Sequence, residues 1–483
     1  MKKMNLLVMS LVSAAALSFT SCSSNDELDD NNAGQNKVDK FYMTLTVQTP
    51  TSNGTRTVVN KPTVNATPAE SDVTSGTFYL VDAKGKIVFK HDISKEEWAD
   101  KKNPTQGTNG KTTLQVPVKN VTAGTKYSVY FLANATSESP LTDVFTSDNK
   151  FATAYSTANN FAMFNQNDAD VKGNSHTVVF TSDNKDANSP ATVSSTINIE
   201  RLTARIDEPK SEATAIKPYA VDATASDEEK AANANAIKAV ESLKLTRYAI
   251  SNVANKTNVM QLWSDATTLS IPTGITYFQP TTEFGTKTLL QNDNYFYAVT
   301  TEEGKEKRND YVFENNSSDA ATSMYFEYTV KLNKEYQDKA DIKDGTFYRY
   351  NKVIYSRIQD IIDAHKDVTI FNGQDAATVI AELKAAKEDT TDPEAKLDEF
   401  RKKYDIEVFN EGKTYYVQKI KDQYLTAENT IQRNSIYLLN VKNIFNVGAQ
   451  VPNGGPDDRT LYYLEVEVSV NPWVLNSYDV DLK

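Results

Sequence analysis

The chain has 483 residues, of which 39% are hydrophobic and 24% charged, and it carries a net charge of -12. A chain of this length is usually too long for a single compact core, so two domains are expected. The acidic balance disfavours nucleic acid and anionic membrane surfaces as partners, because both attract clustered Lys and Arg. Frequent Tyr, Phe, Val and Thr suit pleated surfaces and favour an all-β fold. With a single cysteine, no disulfide can form within the chain.

The N-terminus predicts export. A start with two lysines precedes an apolar stretch over residues 6–19, and Cys22 follows two positions after Thr20. This arrangement is typical of a lipoprotein signal peptide over residues 1–21, which is cut before a cysteine that carries the lipid. The apolar stretch is too short to span a bilayer permanently. We therefore predict lipidation at Cys22 and a location outside the cytoplasm; the alternative is a secreted protein whose cysteine is incidental.

An acidic spacer over residues 23–40 precedes the first predicted strand. From Phe41 to Val47 apolar and polar residues alternate, which predicts a strand with one buried face. The apolar row of this strand consists of Phe41, Met43, Leu45 and Val47. Residues 49–75 are rich in Thr, Asn, Pro and Gly and have no periodicity, which predicts an exposed loop that contains Arg56.

Short apolar runs separated by turn residues follow at irregular spacing, as is typical of a β-sandwich with long loops. The predicted strands are 77–81, 86–89, 113–118, 127–133, 192–199, 243–253, 259–263, 294–300, 324–332, 415–420, 436–445 and 462–470. Helices are predicted at 226–239, 375–388 and 394–404, and Ser226 with Glu229 has the spacing of a capping box. Clustered Pro and Gly near 270–284 predict a boundary between one domain over 57–275 and another over 276–483.

No catalytic or metal-binding constellation is recognisable. His91, His176 and His365 are far apart among polar neighbours, which predicts surface histidines rather than ligands. No Gly-x-Ser-x-Gly turn is present, so a serine hydrolase would lack its nucleophile elbow. The segment 110–112 resembles the end of a phosphate loop, but Thr105 stands where that loop needs glycine. We therefore expect no enzyme activity, no cofactor and no metal site.

The two ends of the chain carry similar apolar rows. The C-terminal row and the apolar residues beyond it are Leu464, Val466, Val468, Val470, Trp473, Val474, Tyr478, Val480 and Leu482. Pro472 is predicted to end the first of these strands. The simplest interpretation of both rows is that each is an ordinary core strand of its own domain.

A cut at Arg56 would allow a second interpretation of the two apolar rows, in which the C-terminal row of one copy replaces the N-terminal row of another. Loss of the strand with Phe41 to Val47 would open an apolar groove with two unpaired edges. A C-terminal strand from another copy has the alternation to fill that groove, and four large apolar side chains contribute about 6–12 kcal/mol. Because such an exchange is head-to-tail, it propagates into a filament.

Several segments resemble the fimbrial subunits of Bacteroidales, the type V pilins or fimbrillins. They are the lipoprotein signal ending at Cys22, the first strand with its Arg56 loop, Val-Tyr-Phe-Leu-Ala-Asn at 129–134, Ile-Glu-Arg-Leu-Thr-Ala-Arg at 199–205, Arg-Asn-Ser-Ile-Tyr at 433–437, and the C-terminal end over 466–482. Their order along the chain makes the resemblance specific. It is strongest to the shaft, or major, subunit of the Mfa-type fimbria.

The resemblance implies two transthyretin-like β-sandwich domains with short helical insertions. It implies an outer-membrane lipoprotein precursor, an Arg-specific protease that cuts between Arg56 and Thr57, and removal of residues 22–56. The C-terminal strands would then act as donors to the next copy in a surface fimbria that supports adhesion and biofilm formation. Implied partners are other copies, anchor and tip subunits, and a host or bacterial surface ligand. The alternatives are a tip or accessory adhesin and a monomeric surface lipoprotein that binds a host ligand or glycan.

Overall fold

Strands dominate the part of the chain that the structure describes. The computed structural model describes residues 40–48, 64–65, 67–101, 111–134, 155–167, 175–220, 225–265, 268–278, 296–302, 304–422, 429–452 and 464–474, with backbone alone for 64–65 and 464–474. Strands account for 39% and helices for 21%, which confirms the predicted all-β class with helical insertions. No helix within these ranges is long and apolar enough to cross a membrane.

The strands of the first part of the chain are short to medium in length. In order they are β1 (Phe41–Gln48), β2 (Val64–Asn65), β3 (Gly76–Val81), β4 (Ile87–Ile93), β5 (Lys111–Val118), β6 (Lys126–Ala133), β7 (Ser156–Thr157), β8 (Asn160–Phe161), β9 (Met163–Asn165), β10 (Thr177–Val179), β11 (Ala191–Thr192) and β12 (Ile197–Arg201).

The second part of the chain contains the longer strands. They are β13 (Ala204–Asp207), β14 (Lys210–Ser211), β15 (Val240–Ser251), β16 (Val253–Ala254), β17 (Leu262–Trp263), β18 (Leu269–Ser270), β19 (Tyr277–Phe278), β20 (Tyr297–Ala298), β21 (Asn309–Val312), β22 (Ser323–Leu332), β23 (Phe347–Tyr350), β24 (Val353–Tyr355), β25 (Glu407–Phe409), β26 (Lys413–Lys419), β27 (Ser435–Ile444) and β28 (Leu464–Val474).

The helices are α1 (Pro68–Ser71), α2 (Lys95–Lys101), α3 (Asp227–Ala239), α4 (Lys334–Lys339), α5 (Ile358–Ala364), α6 (Ala376–Lys387) and α7 (Pro393–Tyr404). The three helices predicted from sequence correspond to α3, α6 and α7. The Ser226 hydroxyl accepts from the Glu229 N–H and the Glu229 carboxylate accepts from the Ser226 N–H, so the predicted capping box is confirmed.

Three sheets build the body. The first has the order β11-β1-β12-β9-β6-β3-β4, with β5 paired to β1 and β10 to β6. The second has the order β2-β28-β27-β13-β21, and the third β20-β15-β22-β26. One apolar core lies within the first sheet's region, and another joins the second and third sheets through residues such as Ile206, Phe326 and Tyr437. Ala204 already belongs to the core that joins the second and third sheets. The predicted domain boundary between residues 275 and 276 stays a prediction.

An insertion between β22 and β26 has its own apolar core. Helices α5, α6 and α7 pack there with the small sheet of β23, β24 and β25 through Ile361, Leu383, Leu397 and Tyr348. Sequence periodicity predicts two of these helices. It does not predict that they form a separate cluster, because each apolar stripe alone fits any neighbouring surface.

Three predicted strands are shorter than expected, one of them that at 294–300, whose described part contains β20 alone. The strand predicted at 192–199 is interrupted, because the chain advances five positions from Thr192 to Ile197 while β1 advances three from Thr44 to Val47. The strand predicted at 259–263 is reduced to β17. The carbonyl groups of the residues before β17 accept hydrogen bonds from a buried arginine, Arg433, instead of a strand neighbour.

The prediction that Pro472 ends a strand is wrong. β28 continues to Val474, and Pro472 is paired with Ser435 of β27. On the other side of β28 the described pairing is with β2, at Trp473 and Val474. Proline lacks an N–H but is compatible with a strand wherever that group would point away from a paired neighbour.

Candidate functional site

The first strand is embedded in the first sheet. β1 pairs antiparallel with β5 over all eight residues, from Phe41 opposite Val118 to Gln48 opposite Lys111. Along its other edge β1 runs parallel to β11 and β12. Within the described ranges β5 pairs with β1 and with no other strand. Loss of β1 would therefore separate β5 from the rest of the sheet and leave two unpaired edges.

The four apolar side chains of β1 all point into the core. Phe41, Met43, Leu45 and Val47 are 2%, 0%, 0% and 1% exposed. The residues between them are half-buried on the outer face, as in Tyr42. This alternation confirms the predicted strand with one buried face. We call the slot that β1 occupies, between β5 on one side and β11 and β12 on the other, the assembly groove.

One end of the assembly groove is aromatic. The rings of Phe41 and Phe180 lie edge to face at 5.6 Å, and Tyr127 packs against Phe180 at 6.1 Å. Lys185 places its Nζ 5.6 Å from the centre of the Phe41 ring. We call Phe180, Tyr127 and Lys185 the aromatic box. Towards the other end the lining is aliphatic, with Val116 opposite Met43 and Leu114 opposite Leu45.

A substitution that weakens β1 tests how firmly the groove holds it. Leu45→Ala should lower the free energy of unfolding of the precursor by about 2–5 kcal/mol, because Leu45 is fully buried and leaves a cavity. It should also speed any exchange of β1 for another strand. Urea unfolding measures the first effect, and the rate of multimer formation after cleavage measures the second. Thr46→Ala is the control, since its hydroxyl bonds Thr113 at 3.0 Å on the exposed face. Equal exchange rates for the two variants would contradict the expectation.

The C-terminal apolar row lies in a different sheet from β1. β28 pairs antiparallel with β27, from Leu464 opposite Ile444 to Pro472 opposite Ser435. It contains six of the predicted donor positions, which are Leu464, Val466, Val468, Val470, Trp473 and Val474. The remaining predicted site residues lie outside the described residues; they are Cys22, Arg56, Thr57, Tyr478, Val480 and Leu482.

A buried acid lies near the end of the segment 49–75, which the sequence predicted to be an exposed loop; the prediction is wrong at this end, because α1 forms there and Glu70 and Ser71 are 3% and 4% exposed. Glu70 lies in α1, and its carboxylate accepts from Arg205 Nη1 at 2.9 Å and from the Tyr311 hydroxyl at 2.9 Å. Its backbone carbonyl accepts from Arg201 Nε at 2.8 Å. Burial raises the pKa of Glu70, but the Thr67 N–H and the Arg205 charge together hold it below its usual value. The Glu70 side chain is therefore ionised, and it ties α1 to β13 and β21.

The two arginine-containing segments singled out in the sequence meet in the structure. Arg201 Nη1 donates to Asn434 Oδ1 at 2.8 Å, and the Asn434 N–H donates to the Thr203 carbonyl at 2.9 Å. Arg201 in β12 and Arg205 in β13 are 0% and 7% exposed. Sequence patterns identified these residues only by resemblance, because an isolated Arg in a strand does not reveal its partner.

Arg433 is the centre of a second buried ionic group. Its Nη2 lies 2.8 Å from Glu314 Oε2, its Nη1 donates to the Val259 carbonyl at 2.7 Å, and its Nη1 lies 4.0 Å from Glu200 Oε1. Burial raises the pKa of Glu200 to about 8; the Arg433 charge opposes the shift and Glu314 adds to it. These groups hold strands from different parts of the chain together without a disulfide.

Removing Arg433 should be strongly destabilising. Arg433→Met keeps most of the side-chain volume but leaves the carboxylate of Glu314 buried at 2% exposure without its cation. Loss of one partner of a buried pair typically costs about 3–5 kcal/mol. Denaturant unfolding is the measurement. Lys352→Met, which removes an exposed pair with Glu228, should leave the midpoint unchanged. Equal midpoints for both variants would rule out a stabilising role of the buried pair.

The raised pKa of Glu200 predicts that the free energy of unfolding depends on pH. Between the unfolded pKa of about 4.3 and the folded pKa of about 8, the folded chain binds a proton that the unfolded chain does not. Stability contributed by Glu200 therefore falls as pH rises through this window, by up to about 1.4 kcal/mol per pH unit. Glu200→Gln stays neutral, so its free energy of unfolding should rise relative to the parent between about pH 5 and pH 8. A difference in free energy of unfolding between variant and parent that does not change with pH would contradict the raised pKa of Glu200.

One histidine is placed differently from the prediction. His176 is 2% exposed rather than on the surface, and its Nδ1 lies 2.8 Å from Ser195 Oγ. The prediction of a surface position rested on the polar sequence neighbours of His176. In the structure, the segment between β11 and β12 places Ser195 against its ring. Across the described ranges no three His, Cys, Asp or Glu side chains are grouped as metal ligands would be.

Known proteins place this arrangement in context. Residues 407–479 match the family model described as major fimbrial subunit protein type IV, fimbrillin, C-terminal. A candidate cell adhesion protein from Parabacteroides distasonis is 12% identical, with 90% of this chain and all of that chain covered and a TM-score of 0.45. A fimbrilin from Porphyromonas gingivalis is 12% identical, with 90% and 98% covered and a TM-score of 0.39. No curated protein sequence matches the chain.

The matched residues 407–479 contain β25 to β28, and so include the whole C-terminal row that pairs with β27. The match supports a fimbrial or adhesin subunit of the cell surface; it does not address the Mfa type. Over residues 407–479 the chain is similar to the C-terminal region of the fimbrillins, and this match supports the family resemblance predicted from the sequence.

Proposed function

We propose that the chain is a structural subunit of a surface fimbria that polymerises by strand exchange. The precursor is exported as an outer-membrane lipoprotein through Cys22, an Arg-specific protease cuts between Arg56 and Thr57, and β1 then leaves the assembly groove. A C-terminal strand of another copy takes its place. The two β-sandwich domains of the proposal are transthyretin-like, and residues 22–56 are lost on maturation.

The observation that carries the proposal is the position of β1. It is a complete strand with four buried apolar side chains and a paired neighbour on each edge. A strand in this position can be replaced only by another strand with the same alternation, because both ladders and the core must be restored. The C-terminal residues have that alternation.

The anchoring of Glu70 supports a cut in the loop before it. Arg201 and Arg205 hold the chain at Glu70 from two sides, so a break between β1 and α1 leaves the body tied together. Residues before the break are then held by non-covalent contacts within the first sheet. Proteolysis thus converts β1 from a covalent part of the fold into a bound peptide that can be exchanged.

Digestion of residues 23–483 with an Arg-specific protease tests the proposal. We expect a new N-terminus at Thr57 and a ladder of multimers on an unheated denaturing gel, with filaments in electron micrographs. The multimers should resist detergent, since a buried strand exchanges slowly. Clean cleavage without a ladder would instead support a tip or accessory adhesin or a monomeric surface protein that binds a host ligand or glycan.

A further inference from the structure

We propose that the aromatic box binds Tyr478 of a second copy and thereby fixes the register in which its C-terminal segment enters the assembly groove. The inference rests on the proposed function, and it names the partner of the groove. The occupant is residues 478–482 of the second copy, running in the same direction as β1. Tyr478, Val480 and Leu482 then take the places of Phe41, Met43 and Leu45.

The pattern of side-chain sizes favours this segment. β1 presents one aromatic residue followed by aliphatic residues at every second position, Phe41-x-Met43-x-Leu45. Tyr478-x-Val480-x-Leu482 repeats that order at the same spacing. Tyr462-x-Leu464-x-Val466 has the same order, but the residues from Leu464 to Pro472 are already paired with β27 in their own copy.

The lining of the box explains why an aromatic ring is required. Phe41 contacts Phe180 edge to face, and Lys185 lies above the ring with its amino group. A tyrosine ring preserves both the edge-to-face contact and the attraction of the cation to the ring face. An aliphatic side chain preserves neither and would fill less of the volume. The box therefore favours an alternating segment that begins with an aromatic residue.

Other registers put the wrong side chains in the groove. A shift of two positions in one direction would place Asn476 in the aromatic box, and Tyr478 in the fully closed site of Met43. The proposed register fills three of the four apolar sites and leaves that of Val47 open, whereas the opposite shift would place Val480 in the box and fill two. Burying a polar amide or leaving an apolar site open both cost stability.

The pairing of β28 explains why the earlier row stays in its own subunit. Nine residues of β27 are paired with β28, and Tyr437, Leu439 and Val441 of β27 are 0% exposed in the core. Withdrawal of β28 would unpair β27 and open this core within the same copy. A donor that begins beyond Val474 leaves the second sheet intact, so it has no such cost.

Disulfide trapping between copies tests the register. In the proposed register Asp481 lies where Thr44 lies, directly opposite Gln115 of β5. Gln115 and Thr113 are both exposed, and residues 23–483 contain no native cysteine. A protein with Gln115→Cys and a second with Asp481→Cys are mixed, cleaved with the Arg-specific protease and oxidised. The matched control pairs Thr113→Cys with Asp481→Cys, which tests the shift by two positions.

We expect the pair at 115 and 481 to cross-link at least about tenfold more than the control, because a two-residue offset increases the separation of the two side chains to about 7–8 Å. Dominance of the control pair, with a normal multimer ladder, would overturn the register while leaving the proposed function standing. Absence of any ladder in the unsubstituted protein would overturn the proposed function itself.

Two substitutions test the role of the ring directly. Tyr478→Phe should retain the ladder, since the resident side chain of the box is itself a phenylalanine. Tyr478→Ala should reduce the yield of detergent-resistant multimers by at least about tenfold, because it leaves a cavity in the box. Unchanged yield with Tyr478→Ala would overturn binding by the aromatic box. The monomer of this variant should keep its unfolding midpoint, which separates loss of donation from loss of folding.

Discussion

Arg56→Ala will abolish the multimer ladder and leave the monomer folded. The predicted loop offers Arg56 as its single arginine, so the variant should remain uncut there and β1 should remain covalently attached. An attached β1 rebinds its groove faster than any second copy can enter, because it acts at a high effective concentration. N-terminal sequencing after digestion and an unheated denaturing gel measure the two effects together.

Other arginines provide the comparison. Arg201 and Arg205 are buried and should resist the protease. Arg357 is partly exposed, with 38% of its side chain accessible, and it lies far from β1 in sequence. Arg357→Ala is therefore the matched control, and it should be processed and polymerise like the parent. A normal ladder from Arg56→Ala would show that cleavage at this residue is not required for assembly.

The first strand was predictable because the alternation of apolar and polar residues reflects burial directly. Phe41 to Val47 alternate in sequence, and the same residues alternate between core and surface in the structure. The family resemblance likewise followed from segments whose order along the chain is specific, and residues 407–479 bear it out. These features depend on local sequence, so a single chain is enough to reveal them.

The buried ionic groups were not predictable from the sequence. Glu70 and Arg205 are 135 positions apart, and Glu314 and Arg433 are 119 apart. No local pattern distinguishes a buried Arg that is paired across sheets from an exposed Arg on a strand edge. The reduction of the strand predicted at 259–263 has the same origin, since the Val259 carbonyl accepts from Arg433. Tertiary pairing of charges overrides the local preference in both cases.

Removal of residues 475–483 will eliminate donation while preserving the fold and the assembly groove. The cut lies just beyond Val474, so β28 keeps its pairing with β27 and β2. A cut before Asn471 would remove part of that ladder and confuse loss of donation with loss of stability. The truncated protein should therefore unfold at the same urea concentration as the full chain, and it should form no multimers with itself after cleavage.

The variant that lacks residues 475–483 should also shorten filaments when it is mixed with the full-length protein. A copy with an intact groove but no donor accepts one neighbour and cannot enter another, so it ends a head-to-tail chain. Small amounts added to the full-length protein should shorten filaments in proportion to the fraction added. Removal of 464–483 is the contrasting variant; it uncovers β27 and the core at Leu439, so its unfolding midpoint should fall sharply. Normal self-assembly of the 475–483 truncation would place the donor elsewhere in the chain.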